Sequence, residues 1–343
     1  MISEQTSTKV EACKDMLRTE EAIFFIKDYF GKKLAAALNL VNVSAPVAVL
    51  DGTGINDDLN GVEKPVSFSV KGIKDHKAVI VQSLAKWKRI RLKEYNIEPG
   101  KGLLTDMRAI RPSEELSPIH SVYVDQWDWE KRITPSQRNI EYLKQAVRAI
   151  YQALRDTESA LFELHPEYIP VLPENICFIH AEELLREFPD LTPKQRETEI
   201  ARIFGAVFII GIGAALSNGE PHDGRAPDYD DWSSPNEDGY KGLNGDIIVW
   251  NPVLERAFEL SSMGIRVNEE AMERQLLIQG CTERRNLLFH SMLLNHELPL
   301  SIGGGIGQSR VCMFLLRKKH IGEVQSSIWP ETVRNNGGSL RLL

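Results

Sequence analysis

Residues 301–310, SIGGGIGQSR, place four glycines within five positions and then an arginine. Ordering a glycine costs more backbone entropy than ordering any other residue, so this cluster indicates a main chain that approaches another group closely. Arginine stays charged at any pH a folded protein tolerates, which points to an anionic group nearby. A tight turn before a helix with a solvated arginine explains the stretch equally well at this point.

Nucleotide-binding signatures with glycines do not fit this sequence. Gly305 and Gly307 begin like the dinucleotide fingerprint, but Arg310 occupies the third glycine position, where a helix must pack closely on the sheet. Residues 211–216 begin with the first two glycines of the same fingerprint but have Leu216 at the third glycine position. The Gly-Lys pairs at Gly31 and Gly100 both lack the upstream glycine of a Walker A loop. What remains is a glycine-rich strand end leading into a helix whose first turn presents Arg310, where backbone amides and the positive helix end can meet a nucleotide.

Hydrophobic periodicity predicts a mixed fold. The helical pattern covers residues 11–39, 84–95, 136–165 (predicted to be the longest), 193–204 and finally 309–318, and the side predicted to pack in the first helix carries Leu17, Phe24, Phe25, Tyr29 and Leu34. Strand patterns cover 40–47, a hairpin at 65–83, two strands around the polar loop 111–118, and 206–213, 246–251 and 256–267. Pro46 restricts the strand at 40–47 to an edge. Hairpins outnumber parallel crossover units, which predicts an α+β fold around a largely antiparallel sheet flanked by helices.

Charge and cysteine content exclude several classes of protein. The chain of 343 residues has 41 lysines and arginines against 48 aspartates and glutamates, a net charge of -7, whereas a protein that mainly grips nucleic acid is normally basic. The basic run 86–93, KWKRIRLK, is most simply the solvated edge of a helix. No apolar run is long enough to span a membrane, the N-terminus lacks the apolar core of a signal peptide, and the four dispersed cysteines are expected to be reduced and mostly buried. These features predict a cytoplasmic protein.

Acidic residues are the remaining candidates for chemistry. Asp228, Asp230 and Asp231 lie within four residues, and composition alone favours an acidic surface turn, although the long irregular segment 217–245 around them is typical of a functional lid. Glu259 interrupts a half-buried strand and needs a partner, for which Mg²⁺ is a natural choice. No zinc-binding helix or serine-nucleophile motif is present, and His120 and His180 are expected to be satisfied by hydrogen bonds.

Three separated segments, LNLVNVSAPV, RAIRPSEELSPIHSVYVDQWDWE and GGGIGQSR, resemble motifs 1, 2 and 3 of the class II aminoacyl-tRNA synthetase catalytic fold. The resemblance implies that residues 1–343 form a single catalytic domain of this type and a homodimer through motif 1. It further implies that Arg111 of motif 2 contacts the ATP α-phosphate and that Arg310 of motif 3 contacts the nucleotide.

Longer strings spread over nearly the whole chain, including HSVYVDQWDWE, RAPDYDDW and LNGDIIVWNPVLERAFELSSMGIRV, are similar to the ammonia-dependent, type A asparagine synthetases. This similarity implies that the L-aspartate side chain attacks the ATP α-phosphate, and that ammonia then displaces AMP from β-aspartyl-AMP. A carboxylate approaching a polyanion needs fixed positive charge and metal. Arg111, Arg310 and Mg²⁺ held by Glu259 and Asp246 would meet that need.

The resemblance also assigns the remaining site residues. Asp57 and Asp128 would hold the substrate ammonium group, Lys88 would lie near the reacting carboxylate as a catalytic residue, and Gln126 would orient aspartate or the adenylate. The other positions implied to line the substrate and nucleotide sites are Asp230, Asp246, Glu259, Ser262, Arg266, Gly305 and Gly307. Asn56 and Asp58 make the segment around Asp57 more polar than the family pattern, which leaves the choice between Asp57 and Asp58 open.

Three other functions share parts of this pattern. An aspartyl-tRNA synthetase-like enzyme would also adenylate aspartate, but the charge of -7 and the short ends outside the motifs favour an enzyme that does not use tRNA. A silent regulator that binds amino acid or nucleotide would not need both arginines and Glu259. Glutamine-using asparagine synthetases depend on an N-terminal cysteine, whereas this chain has Ile2, so free ammonia is the expected nitrogen donor.

Overall fold

The computed structural model describes residues 2–57, 59, 63–334 and 340–343. Within these residues the helices are α1 (Ile2–Leu38), α2 (Ala85–Glu94), α3 (Ile140–Leu164), α4 (Ala181–Glu187), α5 (Pro193–Phe204), α6 (Glu269–Ile278), α7 (Leu288–Leu294), α8 (Gln308–Leu315) and α9 (Glu331–Arg334). The strands are β1 (Leu40–Val43), β2 (Ala48–Leu50), β3 (Ser67–Val70), β4 (Ile73–Ile80), β5 (Gly102–Ile110), β6 (Tyr123–Arg132), β7 (Cys177–His180), β8 (Ala206–Ile210), β9 (Asn244–Asn251), β10 (Arg256–Ile265) and β11 (Ser301–Gly307).

Eight strands form one sheet in the order β1-β5-β6-β11-β10-β9-β8-β7, and β2, β4 and β3 form a small second sheet. Neighbouring strands run antiparallel except at the two edges of the large sheet, where β1 pairs with β5 and β7 with β8 in parallel. The predicted mixed fold around a mainly antiparallel sheet is therefore confirmed, with parallel pairing confined to the edges. β1 is an edge strand that ends before Pro46, as the missing N–H of proline requires.

Helices cover both faces of the large sheet. Phe208 and Ile210 of β8 pack in one apolar cluster with α1 and α3, whereas Val207 and Ile209 pack in another with α4 and α5. This alternation follows from the two-residue period of a strand. α5 begins as predicted, because the Thr192 side chain accepts a hydrogen bond from the Gln195 amide and Pro193 occupies the first helical position.

The predicted apolar side of the first helix is confirmed in part, because Leu34 lies in the apolar core and Phe25 packs against it. Leu34 is buried, but the Leu17 and Phe24 side chains are 64% and 75% exposed, and the buried stripe instead contains Ile26 and Phe30. Leu17 and Phe24 are seven residues apart and so share one exposed face of the helix. α1 also has 37 residues against 25 in α3, so the helix predicted to be the longest is the second longest described.

The glycine-rich stretch forms a complete central strand rather than a tight turn. β11 lies between β6 and β10, and Gly303, Gly304 and Gly305 pair with Glu130, Trp129 and Asp128. α8 follows directly and carries Arg310 in its first turn, which confirms the predicted strand-to-helix junction. α9 comes later in the chain, so α8 is not the final helix.

Among the described residues, no helix combines the length and hydrophobicity needed to cross a bilayer.

Candidate active site

Two adjoining cavities lie over the centre of the large sheet. The first, which we call the inner cavity, has a volume of about 270 Å³, and the second, which we call the arginine cavity, about 360 Å³. Both are lined by Arg111, Glu114, Gln126, Glu259 and Gly305. Because they share these walls, the two cavities form one continuous site along β6, β11 and β10.

A buried ion pair forms the floor of the inner cavity. Lys88 of α2 is fully buried, and its Nζ lies 3.0 Å from Asp128 Oδ1 and donates to the Gly304 carbonyl at 3.0 Å. Burial lowers the pKa of Lys88, although the Asp128 carboxylate opposes that shift. Asp128 Oδ2 is buried without a hydrogen-bond partner among the described residues. This oxygen is therefore ready to accept a hydrogen bond from a cationic ligand.

The glycines of β11 create the space that this site occupies. A Cβ on Gly305 would lie 2.5 Å from Gln126 Oε1 and 2.8 Å from Asp128 Oδ1, and one on Gly303 would overlap the Glu130 carboxylate and the Arg266 guanidinium. None of these glycines has a positive φ. The close approach predicted from the cluster is thus confirmed, and the approaching groups are side chains of neighbouring strands.

Arg266 is held from below by two carboxylates. Its Nη2 lies 2.8 Å from Glu130 Oε2, and its Nη1 pairs with Asp230 Oδ1. Burial opposes ionisation of Glu130, but Arg266 outweighs it and lowers the pKa of that carboxyl. Ser301 also donates to Glu130 at 2.6 Å. Because its partners fix it in place, Arg266 presents a preorganised positive wall to the inner cavity.

Arg111 and Arg310 both line the arginine cavity although they are 199 positions apart in the sequence. Arg111 follows β5, and its Nη2 donates to the Gln82 carbonyl at 3.2 Å. Arg310 donates to the Glu259 carbonyl at 3.0 Å and lies 3.6 Å from Glu259 Oε2. Both guanidinium groups retain further N–H donors that can face a bound anion.

The two carboxylates predicted to hold Mg²⁺, Glu259 and Asp246, lie in different surroundings. Glu259 lines both cavities, and Arg310 lowers its pKa against the effect of burial. Asp246 on β9 is not among the residues that line either cavity; it lies 2.5 Å from Arg225 Nη2. Burial raises its pKa to about 6, with Arg225 opposing and Glu259 adding to the rise. The described residues contain no group of three metal-ligating side chains.

The structure brings nearly all of the predicted site residues together. The inner cavity is lined by Asp57, Lys88, Arg111, Gln126, Asp128, Asp230, Glu259, Ser262, Arg266 and Gly305. Arg310 and Gly307 line the arginine cavity. Asp57 is buried and its Oδ1 accepts from the Leu59 amide at 3.1 Å, whereas Asp58 lies outside the described residues. Asp246 is the exception, placed behind the cavity wall, where Ser262 donates to it.

Two interpretations of charged segments as solvated surface are wrong. Asp228, Asp230 and Asp231 are at most 1% exposed, and Asp231 pairs with Arg138 and accepts from the Ser234 amide at 2.9 Å. In the basic run of α2, Lys86 and Arg89 are buried together with Lys88. Arg89 donates to the carbonyls of Val267 and Pro299. These charges are buried because long-range partners satisfy them.

Sequence reasoning missed Glu130, Arg225 and Tyr229 as parts of the site. Arg225 lies between Asp246 and Asp230 and lines the inner cavity, and Tyr229 lies under the Arg266 guanidinium at 5.7 Å. The signal available for Glu130 was its even spacing after Gln126 and Asp128 on one strand, which places all three on the same face. Arg225 precedes the predicted acidic turn and Tyr229 lies within it, and neither carried a separate signal.

The two histidines expected to be structural make hydrogen bonds. His120 Nδ1 lies 2.8 Å from Ser117 Oγ, and His180 Nε2 lies 2.9 Å from the Lys241 carbonyl. His120 also lines the arginine cavity, where burial, with Arg310 adding, lowers its pKa to about 4. Cys177 and Cys312 are free thiols, and of these two Cys312 is fully buried.

Comparison with known proteins agrees with this geometry. The family model for aspartate-ammonia ligase matches residues 17–339. An aspartate–ammonia ligase from Parabacteroides distasonis is 58% identical over 324 residues, covering 94% of each chain. One from Bacteroides thetaiotaomicron is 56% identical over 320 residues, covering 93% of each chain.

The fold of this chain is also found in solved structures of other proteins. Asparaginyl-tRNA synthetase from Pyrococcus horikoshii, complexed with asparaginyl-adenylate, superposes with a TM-score of 0.67 at 12% identity, over 91% of this chain and 70% of that one. At this identity the likeness establishes a class II aminoacyl-tRNA synthetase-like fold and no more. Together with the match over nearly the full length to the curated ligases, it shows that this chain belongs to the aspartate–ammonia ligase family.

Proposed function

We propose that this protein makes L-asparagine from L-aspartate, ammonia and ATP through β-aspartyl-AMP, releasing AMP and pyrophosphate. The observation that carries the proposal is the convergence of Arg111 and Arg310 on one cavity that opens onto the Lys88–Asp128 pair. Cationic walls suited to a nucleotide thus adjoin a compact charged pocket suited to an amino acid. The names of the curated relatives support the same reaction.

In this proposal the inner cavity binds aspartate. The buried Oδ2 of Asp128 accepts a hydrogen bond from the substrate ammonium group, with Asp57 on the same wall. Lys88 is fixed by Asp128 and Gly304, so its positive charge is in place before the substrate arrives. Gln126 lines both cavities and would orient the side chain that must reach the nucleotide.

The arginine cavity binds ATP. Arg111 and Arg310 neutralise the phosphates and the charge that develops when the β-carboxylate attacks the α-phosphate, and fixed cations of this kind need no reorganisation during the reaction. Glu259 would hold Mg²⁺, whose charge would help cancel the repulsion between carboxylate and polyphosphate, whereas Asp246 is paired with Arg225 behind the cavity wall. In the second stage ammonia attacks the activated carbonyl carbon and AMP leaves.

We further propose that residues 1–343 act as one catalytic domain in a homodimer. The exposed Val41 on edge strand β1 and the exposed Phe24 on α1 support an interface at this side of the molecule, at the segment that resembles motif 1. We place the reaction in the cytosol, which the free thiols of Cys177 and Cys312 support.

A single incubation tests the reaction. Purified protein is given ATP, Mg²⁺, ammonium and aspartate labelled with ¹⁸O in its β-carboxylate, with no tRNA present. We expect asparagine, pyrophosphate and AMP carrying one labelled oxygen, because the carboxylate oxygen stays on the phosphorus when AMP leaves. Formation of ADP, or a strict need for tRNA, would show that the proposed chemistry is wrong.

A further inference from the structure

A third cavity, which we call the side cavity, adjoins the inner cavity and has a volume of about 200 Å³. Asp57 lines both cavities and so marks the boundary between them. The walls of the side cavity come from the loop around residues 50–57, from β4, from α2 and from the start of α7. None of the roles proposed above for aspartate or ATP uses this space.

A buried histidine–aspartate pair lines the side cavity. His290 and Asp228 are both 0% exposed, and His290 Nε2 lies 3.0 Å from Asp228 Oδ2. Because a carboxylate only accepts, Nε2 carries a proton in this contact, and in the neutral form of the ring the lone pair is on Nδ1. Among the described residues, His290 Nδ1 and Asp228 Oδ1 have no hydrogen-bond partner. Leaving two buried acceptors unsatisfied costs about 1–3 kcal/mol each, so the pair is suited to a ligand that donates hydrogen bonds.

Charges around the pair favour a small cation. Lys86 Nζ lies 3.0 Å and Arg284 Nη1 3.5 Å from Asp228 Oδ2. Burial opposes ionisation of Asp228, but Lys86 outweighs it, and with His290 lowers the pKa of that carboxyl. Asp51 and Asp57 also line the cavity, so three carboxylates face the two cations Lys86 and Arg284. The net negative charge attracts a cation that is small enough to pass Asp57.

We propose that the side cavity binds ammonium and that His290 Nδ1 accepts its proton, which makes His290 a further catalytic residue. The inference rests on the proposed asparagine synthesis. Ammonium has only donors, as the two unmet acceptors require, whereas the nucleophile must be ammonia. One N–H bond breaks, its electron pair stays on nitrogen, and the proton bonds to Nδ1. The ammonia passes Asp57 and attacks the acyl carbon; AMP leaves with its electron pair, and the nitrogen loses a second proton as the amide forms. Both protons then pass to solvent.

Gly54 keeps the space beside this nitrogen open. A Cβ at this position would lie 3.0 Å from His290 Nδ1 and 2.9 Å from Leu287 Cβ. The residue also has a φ of +70°. Gly52 has a similar φ of +75°, but a Cβ there would meet nothing within 4 Å. Alanine substitutions at these two glycines should therefore cause similar backbone strain, but only the one at Gly54 should fill the cavity.

His290→Gln tests the proton acceptor. The glutamine amide can donate to Asp228 as Nε2 does, but it supplies no acceptor at the Nδ1 position. We expect the KM for ammonium to rise about tenfold or more, as loss of a hydrogen bond to a charged group implies. Aspartate-dependent exchange of labelled pyrophosphate into ATP, which needs no ammonia, should stay within about twofold of wild type. His76→Gln, at an exposed histidine of β4, is the matched control.

Hydroxylamine separates proton acceptance from the rest of the reaction. It is uncharged at neutral pH and needs no base before it attacks, so His290→Gln should retain much more activity with hydroxylamine than with ammonium. An unchanged ammonium KM would show that the side cavity holds structural water only and would overturn the proposal. Loss of pyrophosphate exchange in the variant would overturn it too, by assigning His290 to folding or adenylation.

Gly54→Ala provides a second test that leaves the histidine in place. We expect it to raise the ammonium KM more than Gly52→Ala does, because only the methyl group at residue 54 reaches Nδ1. Equal effects of the two substitutions would contradict the proposal. A wild-type protein that makes no asparagine would instead refute the proposed function, so the two failures are distinguishable.

Discussion

Gly305→Ala tests why β11 is rich in glycine. The added Cβ would lie 2.5 Å from Gln126 Oε1 and 2.8 Å from Asp128 Oδ1, whereas ordinary contacts begin at 3.4 Å. The two oxygens must therefore retreat by about 0.9 and 0.6 Å. Both belong to side chains that the proposed function places on aspartate, so the substitution misplaces the amino acid without removing any polar group.

The expected loss of activity follows from this displacement. A misplacement of about 1 Å costs roughly 100-fold in rate, or about 2.7 kcal/mol of transition-state stabilisation. The free energy of unfolding should fall by a comparable amount or less. Replacing glycine by alanine gains about 0.4–1 kcal/mol through the unfolded chain, and crowding costs about 1–3 kcal/mol, so the net loss stays below about 3 kcal/mol.

The assay compares kcat/KM for aspartate with the urea unfolding curve of the same preparation. Gly72→Ala, in the turn between β3 and β4, is the control, because a Cβ there meets nothing within 4 Å. A folded Gly305→Ala variant with the wild-type kcat/KM for aspartate would refute the argument that β11 is glycine-rich to make room for Gln126 and Asp128.

Three further predictions concern the arginine cavity. Arg310→Ala should keep the fold, since the side chain is 21% exposed. It should lower kcat/KM for ATP by an amount that corresponds to the loss of several kcal/mol of transition-state stabilisation, and wild-type turnover in a folded variant would contradict this. Glu259→Gln should raise the Mg²⁺ concentration needed for half-maximal activity, and an unchanged metal titration would speak against its role. His120→Asn tests a contribution to the free energy of unfolding. The folded protein lowers the pKa of His120 to about 4, below the usual 6.5, so it favours the neutral ring. The stability of the folded wild type is therefore unaffected by this group above pH 6.5 and falls by at most about 3 kcal/mol as the pH is lowered towards 4. Urea unfolding between pH 7 and 4 should show a shallower decline in the variant, in which the asparagine can still bond Ser117; parallel curves would rule this out.

Local patterns predicted most of the fold. Strand and helix positions, the cap at Thr192 and the junction between β11 and α8 follow from periodicity and from residue types that act over a few positions. The parallel pairing of β1 with β5 does not, because it is decided by how distant elements pack. The exposed Leu17 and Phe24 were misassigned for a related reason: periodicity identifies an apolar stripe but not which stripe meets the core.

The candidate site was predicted through resemblance far more than through chemistry. Residue types alone favoured a solvated turn for Asp228 and a solvated helix edge for Lys86. These two residues are 142 positions apart and form one buried ion pair. Whether a charge is buried depends on a partner that the local sequence does not reveal. The same limit hid Glu130 and Arg225, whose importance lies in the side chains that they hold.

The alternating charges beneath the inner cavity, Glu130, Arg266, Asp230, Arg225 and Asp246, also shape the response to ionic strength. Dissolved ions screen exposed charges strongly and buried ones weakly. The field that orients the amino acid should therefore persist when salt concentration rises, whereas attraction of the polyphosphate by Arg310, whose side chain is 21% exposed, should weaken. In the proposed function, discrimination among amino acids is thus expected to be independent of ionic strength, whereas the affinity for the nucleotide is expected to depend on it.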